Sequence, residues 1–154
     1  DDGLTYTFHL RKDVKWTDSQ GREVDTVKAD DFVAGMQHMC DAQGGLEYLV
    51  QGVIKNVSQY ISGEVTDFDE VGVKAVDDKT LEVTTTTRVS FFDELMSFPC
   101  FYPINQKFCE KQGDKYGKSA DSILANGAFT MTNWEPGSVA EFEKNDKYYD
   151  AKTV

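Results

Sequence analysis

The thiols of Cys40, Cys100 and Cys109, the imidazoles of His9 and His38, and the adjacent carboxylates Asp77 and Asp78 are the side chains to weigh first for chemistry. Three cysteines leave at least one thiol unpaired, and their spacing matches neither a zinc ribbon nor a redox Cys-x-x-Cys pair. His38 and Cys40 sit two residues apart on a predicted helix, which aims them about 200° apart and away from a shared metal ion. The thiols are therefore expected to be buried or semi-buried and free, packing as small hydrophobes, with a Cys100–Cys109 disulfide left open. Asp77 and Asp78 fall in a predicted turn, where nothing desolvates one carboxylate relative to the other, so the pair is read as turn chemistry and not as an acid–base couple. No nucleophile elbow, phosphate-cradling glycine loop, zinc-protease helix or calcium loop occurs. No catalytic residue, metal ligand or cofactor is assigned.

The elements that carry these groups follow from hydrophobic period. Leu4, Tyr6, Phe8 and Leu10 alternate with Thr5, Thr7 and His9, the pattern of a half-buried strand that leaves His9 on the outer face. Arg11 to Trp16 reads as a further extended stretch, and Thr17 to Gly21 as a turn. Over Lys28 to Cys40, Phe32, Val33, Met36, Met39 and Cys40 recur at helical spacing, with Asp30 and Asp31 in the first turn. Leu46, Leu49, Val50, Val53, Ile54, Val57, Tyr60 and Ile61 predict a second helix, stopped at Gly63 and weakened or divided at Gly52. Val71 to Ala75 and Leu81 to Thr85 flank the Asp77 turn as a hairpin. Ser90 is placed as the N-cap of a short helix to Met96, before an aromatic, Pro-bearing stretch from Phe98 to Pro103 that is not regular helix. Asn105 to Gln112 is helical in composition. Ala128 to Trp134 and Ser138 to Glu143 form a last hairpin around a type II turn at Glu135-Pro136-Gly137. The fold class is α+β, with mixed helices and antiparallel hairpins in one compact unit.

Composition sets the outer limits. A chain of 154 residues with 40% hydrophobic side chains is enough for a true core. Its net charge of −11 repels phosphate backbones and anionic lipid surfaces, so no nucleic-acid partner is expected. No run of about 18 apolar residues is present to span a bilayer, and Asp1-Asp2-Gly3 lacks the basic-then-apolar layout of a signal peptide, so export is not read directly from the chain.

The order of short phrases is more specific than any single group. Tyr6-Thr7-Phe8-His9-Leu10-Arg11-Lys12-Asp13-Val14-Lys15-Trp16 resembles the opening signature of bacterial extracellular solute-binding proteins of family 5, the oligopeptide and dipeptide type. The likeness continues through Ala29-Asp30-Asp31-Phe32-Val33, Val73 to Val83, Asn126-Gly127-Ala128-Phe129 and Glu143-Lys144-Asn145. The long turn from Asp18 to Val27 and the phrase Tyr48 to Ile54 look like the Gram-positive oligopeptide-binding lipoproteins. Three departures stand out: Lys28 where a Thr or Ser N-cap is usual, moving the expected helix start toward Thr26; Thr85 and Arg88 in place of Leu and Pro; and Tyr149 in place of Trp.

That resemblance implies a partial lobe of a two-lobed, type II periplasmic-binding-protein-like fold. Residues 1–117 would be the accessory subdomain of lobe one and 118–154 the first strands of its core sheet, with the second lobe, signal peptide and lipid-bearing cysteine outside this sequence. It implies the peptide-binding component of an ABC-type importer, working with a membrane permease at the outer face of the cytoplasmic membrane or in the periplasm. No enzymatic activity and no cofactor are implied. Two lobes would close on an extended peptide held largely through its backbone. Phe98 is placed near a ligand side-chain pocket and Gly45 and Leu46 at its edge, with Tyr48, Cys100 and Asn126 as further candidates. The same fold carrying a nickel chelate, haem or a sugar, or serving as a surface adhesion module, is the alternative, because fold alone does not fix the ligand.

Overall fold

Alternating exposure along the first strand sets the inner face of a sheet on which the first half of the molecule is built. The computed structural model describes residues 3–154, so Asp1 and Asp2 of the N-terminal reading lie outside the described residues. The strands are β1 (Thr5–His9), β2 (Lys15–Thr17), β3 (Glu23–Thr26), β4 (Val73–Asp77), β5 (Thr80–Thr84), β6 (Phe129–Glu135) and β7 (Val139–Lys144). The α-helices are α1 (Ala29–Ala42), α2 (Val57–Ser62), α3 (Phe92–Leu95) and α4 (Gln106–Gln112).

These elements gather into two compact units. One comprises the segment ending at Leu10 with Lys28–Pro103, the other Arg11–Val27 with Ile104–Val154. The sequence reading takes the chain as one compact unit, whereas the contacts gather it into these two. The reason is non-local pairing inside the second unit. Thr17 and Ala125 exchange backbone hydrogen bonds of 2.8 Å in both directions, which ties Arg11–Val27 to residues more than a hundred positions away.

In the first unit the antiparallel sheet has the order β1-β5-β4. Tyr6 pairs with Val83 and Phe8 with Leu81, so the inward residues of β1 and β5 meet one core. That core includes Met36, Cys40, Val50, Ile54, Val57, Val71, Leu81, Val83 and Phe92. Helix α1 packs on β4 and β5. It begins at Ala29 and not near Thr26, because a side-chain carboxylate and a backbone carbonyl take the N–H groups at its start in place of a hydroxyl cap. The Lys28 N–H donates to Asp31 Oδ2 at 2.9 Å, and the Ala29 N–H donates to the Asp78 carbonyl at 3.0 Å.

The Leu46–Ile61 pattern is divided, as Gly52 allowed: Glu47–Leu49 is a single 3₁₀ turn, Gly52 and Asn56 take left-handed φ of +72° and +61°, and helix resumes at Val57. The intervening backbone is held at the end of the central strand β5, with Lys55 N–H donating to the Thr84 carbonyl at 3.0 Å and Thr86 N–H to that of Val53 at 2.8 Å. Ser90 does not cap α3, which starts at Phe92 after Phe91. Gly63 does end α2, with φ +79° and its N–H donating to the Tyr60 carbonyl at 3.0 Å.

The second unit holds the β2–β3 and β6–β7 hairpins and α4. Asn105 caps α4, its Oδ1 accepting from Phe108 N–H at 2.9 Å. Gly137 at φ +78° and the Ser138 N–H bond to the Glu135 carbonyl at 2.9 Å close the type II turn between β6 and β7. Buried Asn145 joins the pieces: its amide donates to Thr17 Oγ1 at 3.1 Å and the Gly127 carbonyl at 2.9 Å, and its Oδ1 accepts from Lys147 N–H at 3.0 Å. Among the described residues no helix is long and apolar enough to cross a membrane.

One close approach yields a test. A Cβ placed on Gly35 of α1 would overlap the Tyr102 carbonyl oxygen, a backbone atom with little room to give. Gly35→Ala is expected to destabilise the first unit by about 1–3 kcal/mol despite the better helix propensity of alanine. Urea unfolding followed by circular dichroism measures this, and an unchanged midpoint would contradict the packing described.

Candidate functional site

The first unit presents large apolar side chains to solvent on two segments, and each is anchored by buried neighbours of the opposite face. In residues 91–102, Phe92, Leu95, Cys100 and Phe101 point into the core while Phe91, Phe98 and Tyr102 point out. The Phe92 ring is fully buried, 4.5 Å between centroids from Tyr6, 6.4 Å from Phe8 and 6.1 Å edge-on from Phe101. The Tyr6 hydroxyl donates to the Val89 carbonyl at 2.8 Å, which pins the approach to α3.

Pro99 opens a 3₁₀ turn over Pro99–Phe101 and holds the preceding Phe98 extended, at φ −76° and ψ 151°. The stretch from Phe98 to Pro103, read as non-helical, thus contains one tight turn. Phe98 N–H donates to the Leu95 carbonyl at 3.1 Å, Phe101 N–H to that of Phe98 at 3.0 Å and Tyr102 N–H to that of Pro99 at 3.0 Å. Phe98 remains 47% exposed on this braced backbone, far more than core packing would leave it.

The second segment follows α1. Gln43 ends the helix in the left-handed region at φ 46°, and Gly45 turns the chain at φ +98°. Gly45 N–H donates to Glu47 Oε2 at 2.8 Å. Val50 is buried and anchors the loop, while Leu46 and Tyr48 stay exposed, Tyr48 at 68%.

Of the candidates from sequence, Gly45, Leu46, Tyr48 and Phe98 lie on these two segments of the first unit. Cys100 is also there but belongs to the core at 2% exposure, so its side chain does not present to solvent. Asn126 lies in the second unit and is half-buried. Sequence reasoning missed Phe91 and Tyr102. Each has an apolar neighbour that is buried, Phe92 beside Phe91 and Phe101 beside Tyr102, and between two adjacent aromatic residues the period cannot say which faces out.

The thiols behave as packing groups. All three cysteines are free. Burial pushes the Cys40 thiol up to about 12, with the Asp41 and Glu47 carboxylates adding to the shift, and burial likewise raises Cys100. Cys40 lies beside a groove of about 300 Å³ where the Tyr60 hydroxyl donates to Asp41 Oδ1 at 2.9 Å. Burial and that bond to a carboxylate keep Tyr60 protonated, offset only by the Gln37 amide. The electrostatics therefore supply no activated nucleophile here.

The family model for bacterial extracellular solute-binding proteins, family 5 middle, matches residues 1–154, and the chain belongs to that family. It is 44% identical to the oligopeptide-binding protein SarA of Streptococcus gordonii over 99% of this chain and 23% of that protein. It also matches the crystal structure of the substrate-binding domain of an oligopeptide ABC transporter from Bacillus anthracis, with a TM-score of 0.88 and 44% identity, covering 100% of this chain and 29% of that one. Listeria monocytogenes OppA bound to peptide matches with a TM-score of 0.87 and 36% identity, over 100% of this chain and 30% of that one. The fold is accordingly a partial lobe of the two-lobed type II binding-protein architecture. The chain spans about a quarter of the length of SarA.

Thiol accessibility tests the site geometry. Cys109, half-buried, is expected to react first with a thiol reagent at pH 8, while Cys40 and Cys100 react only as fast as the fold opens. Mass-mapped labelling decides this, and fast modification of Cys100 in the folded chain would mean that it lies at the surface.

Proposed function

We propose that the whole protein captures oligopeptides for an ABC-type importer, and that this chain forms one wall of the ligand cleft. The carrying observation is the exposure of Phe98 on a backbone locked by Pro99 and by the buried Phe92. The names of the relatives support the same reading, since they are oligopeptide-binding proteins, one of them solved with a peptide. Gly45, Leu46, Tyr48 and Phe98 are assigned to ligand contact, joined by the equally exposed Phe91 and Tyr102. Cys100 is assigned to packing beneath them. Asn126 stands as a separate candidate in the second unit.

The first compact unit is assigned to the accessory subdomain of lobe one, and the second to the opening strands of its core sheet. Support for the latter comes from Phe129, Val139 and Phe142, which the β6–β7 hairpin leaves exposed. A two-stranded ribbon with such side chains is marginal alone and suits a larger sheet. The whole protein is placed outside the cytoplasmic membrane, lipid-anchored or periplasmic, with a membrane permease as its partner. Its role is binding and release, with no chemical step assigned.

A cleft with one wall cannot desolvate its ligand, so affinity resides in the two-lobed protein. Calorimetry is expected to give binding at about the micromolar level or tighter for the full-length protein and no measurable heat for this chain alone. Phe98→Ala in the full-length protein is expected to weaken binding about tenfold. Micromolar binding by the isolated chain, or an unaltered affinity after the Phe98 change, would overturn the assignment. So would a non-peptide ligand carried through purification of the full-length protein and identified by mass spectrometry.

A further inference from the structure

Asn126-Gly127 is the one asparagine–glycine step among the five asparagines of the chain. Such a pair commonly builds a hairpin turn, which needs positive φ at both residues. Neither residue has positive φ here, and the step leads instead from Ala125, bridged to Thr17, toward β6 at Phe129. Both residues are half-buried. Among the described residues neither the Asn126 amide nor the Gly127 N–H makes a hydrogen bond, and since no buried side-chain polar atom lacks a partner, the amide reaches water. The other four asparagines are better guarded. Asn56 donates to the Glu70 carbonyl at 2.9 Å, Asn105 caps α4, Asn145 is buried and bonded at both ends of its amide, and Asn133 lies within β6 ahead of the bulky Trp134.

We propose that Asn126 is a site of spontaneous deamidation, and that its conversion loosens the second unit. The Gly127 nitrogen attacks Asn126 Cγ, the new N–Cγ bond closes a five-membered imide, and the side-chain amide leaves as ammonia with the proton that Gly127 gives up. A glycine has no side chain to shield that nitrogen. Water then opens the ring. Opening at Cγ gives aspartate, whereas opening at the main-chain carbonyl gives isoaspartate, whose backbone runs through Cβ and is one atom longer. The extra atom falls between two fixed points. On one side Ala125 exchanges backbone hydrogen bonds with Thr17; on the other the Gly127 and Ala128 carbonyls accept from the Asn145 side-chain amide and backbone N–H, each at 2.9 Å. Asn145 also donates to Thr17 Oγ1, which fixes the two points to one another. A main chain lengthened between them cannot keep both sets of bonds in register. Nothing in this inference depends on what the whole protein binds.

The test is ageing of the full-length protein in neutral and in mildly alkaline buffer, followed by mass-mapped peptides with fragmentation that separates isoaspartate from aspartate. Asn126 is expected to gain about 1 Da before the other four asparagines of this chain, with isoaspartate among the products. Conversion should be faster in the alkaline buffer, because the attacking nitrogen must lose its proton. The rate in the folded protein should lie within about tenfold of that in the released tryptic peptide, since the step needs only local opening. Gly127→Ala, whose added methyl meets nothing within 4 Å, should fold normally and convert severalfold more slowly. The aged protein should show a lowered melting transition that Gly127→Ala, aged alongside it, does not. An intact Asn126 in the folded protein after the released peptide has converted, or another of these asparagines converting first, overturns the site. Conversion with an unchanged melting transition, or equal loss in Gly127→Ala, overturns the loosening of the second unit.

Discussion

Burial of the Phe92 ring is the interaction on which the proposed binding face depends. It sits against Tyr6 and Phe8 of β1 on one side and Phe101 on the other, so a single side chain couples the first strand to the segment that displays Phe98 and Tyr102. Removing a fully buried phenylalanine costs about 3–5 kcal/mol in a core of this kind. More of the cost than stability would fall on the display, because the exposed rings have few contacts of their own to fix them. An aromatic side chain held outward by a buried neighbour is pre-organised for a ligand, which lowers the ordering cost of binding.

The same economy of anchors appears on the loop after α1, where buried Val50 fixes a turn that Gln43 and Gly45 bend through the left-handed region. Neither segment brings an activated thiol to the surface. Cys40 and Cys100, the chemically distinctive groups near these segments, are held protonated by burial. What the two segments offer is exposed apolar area.

Elements with one dominant local period were legible from the residues. The β1 alternation, the β4–β5 hairpin, the body of α1, the α4 segment and the Pro136-Gly137 turn all appear where pattern and turn chemistry put them. In the Leu46–Ile61 stretch a division at Gly52 was legible, but not the hydrogen bonds that Lys55 N–H gives to the Thr84 carbonyl and Thr86 N–H gives to that of Val53, which hold this backbone at the end of β5. Lys28 as an N-cap was likewise hidden, since the groups that satisfy α1 come from the Asp78 carbonyl and the Asp31 carboxylate. Of the proposed site residues, Phe98, Tyr48, Leu46 and Gly45 are exposed and Cys100 is buried, because over Phe98–Pro103 the inward side is chosen by tertiary packing around Phe92. The division into two units rests on Thr17–Ala125 and Asn145–Thr17, contacts that no window of sequence contains.

The most direct measurement of the central claim is a crystal structure of the full-length protein with a bound peptide. The account predicts that Phe98, with Tyr102 or Phe91, loses its solvent exposure against a ligand side chain while the Phe92 ring stays buried between Tyr6 and Phe101. A peptide bound elsewhere, leaving Phe98 as exposed as its present 47%, would contradict it.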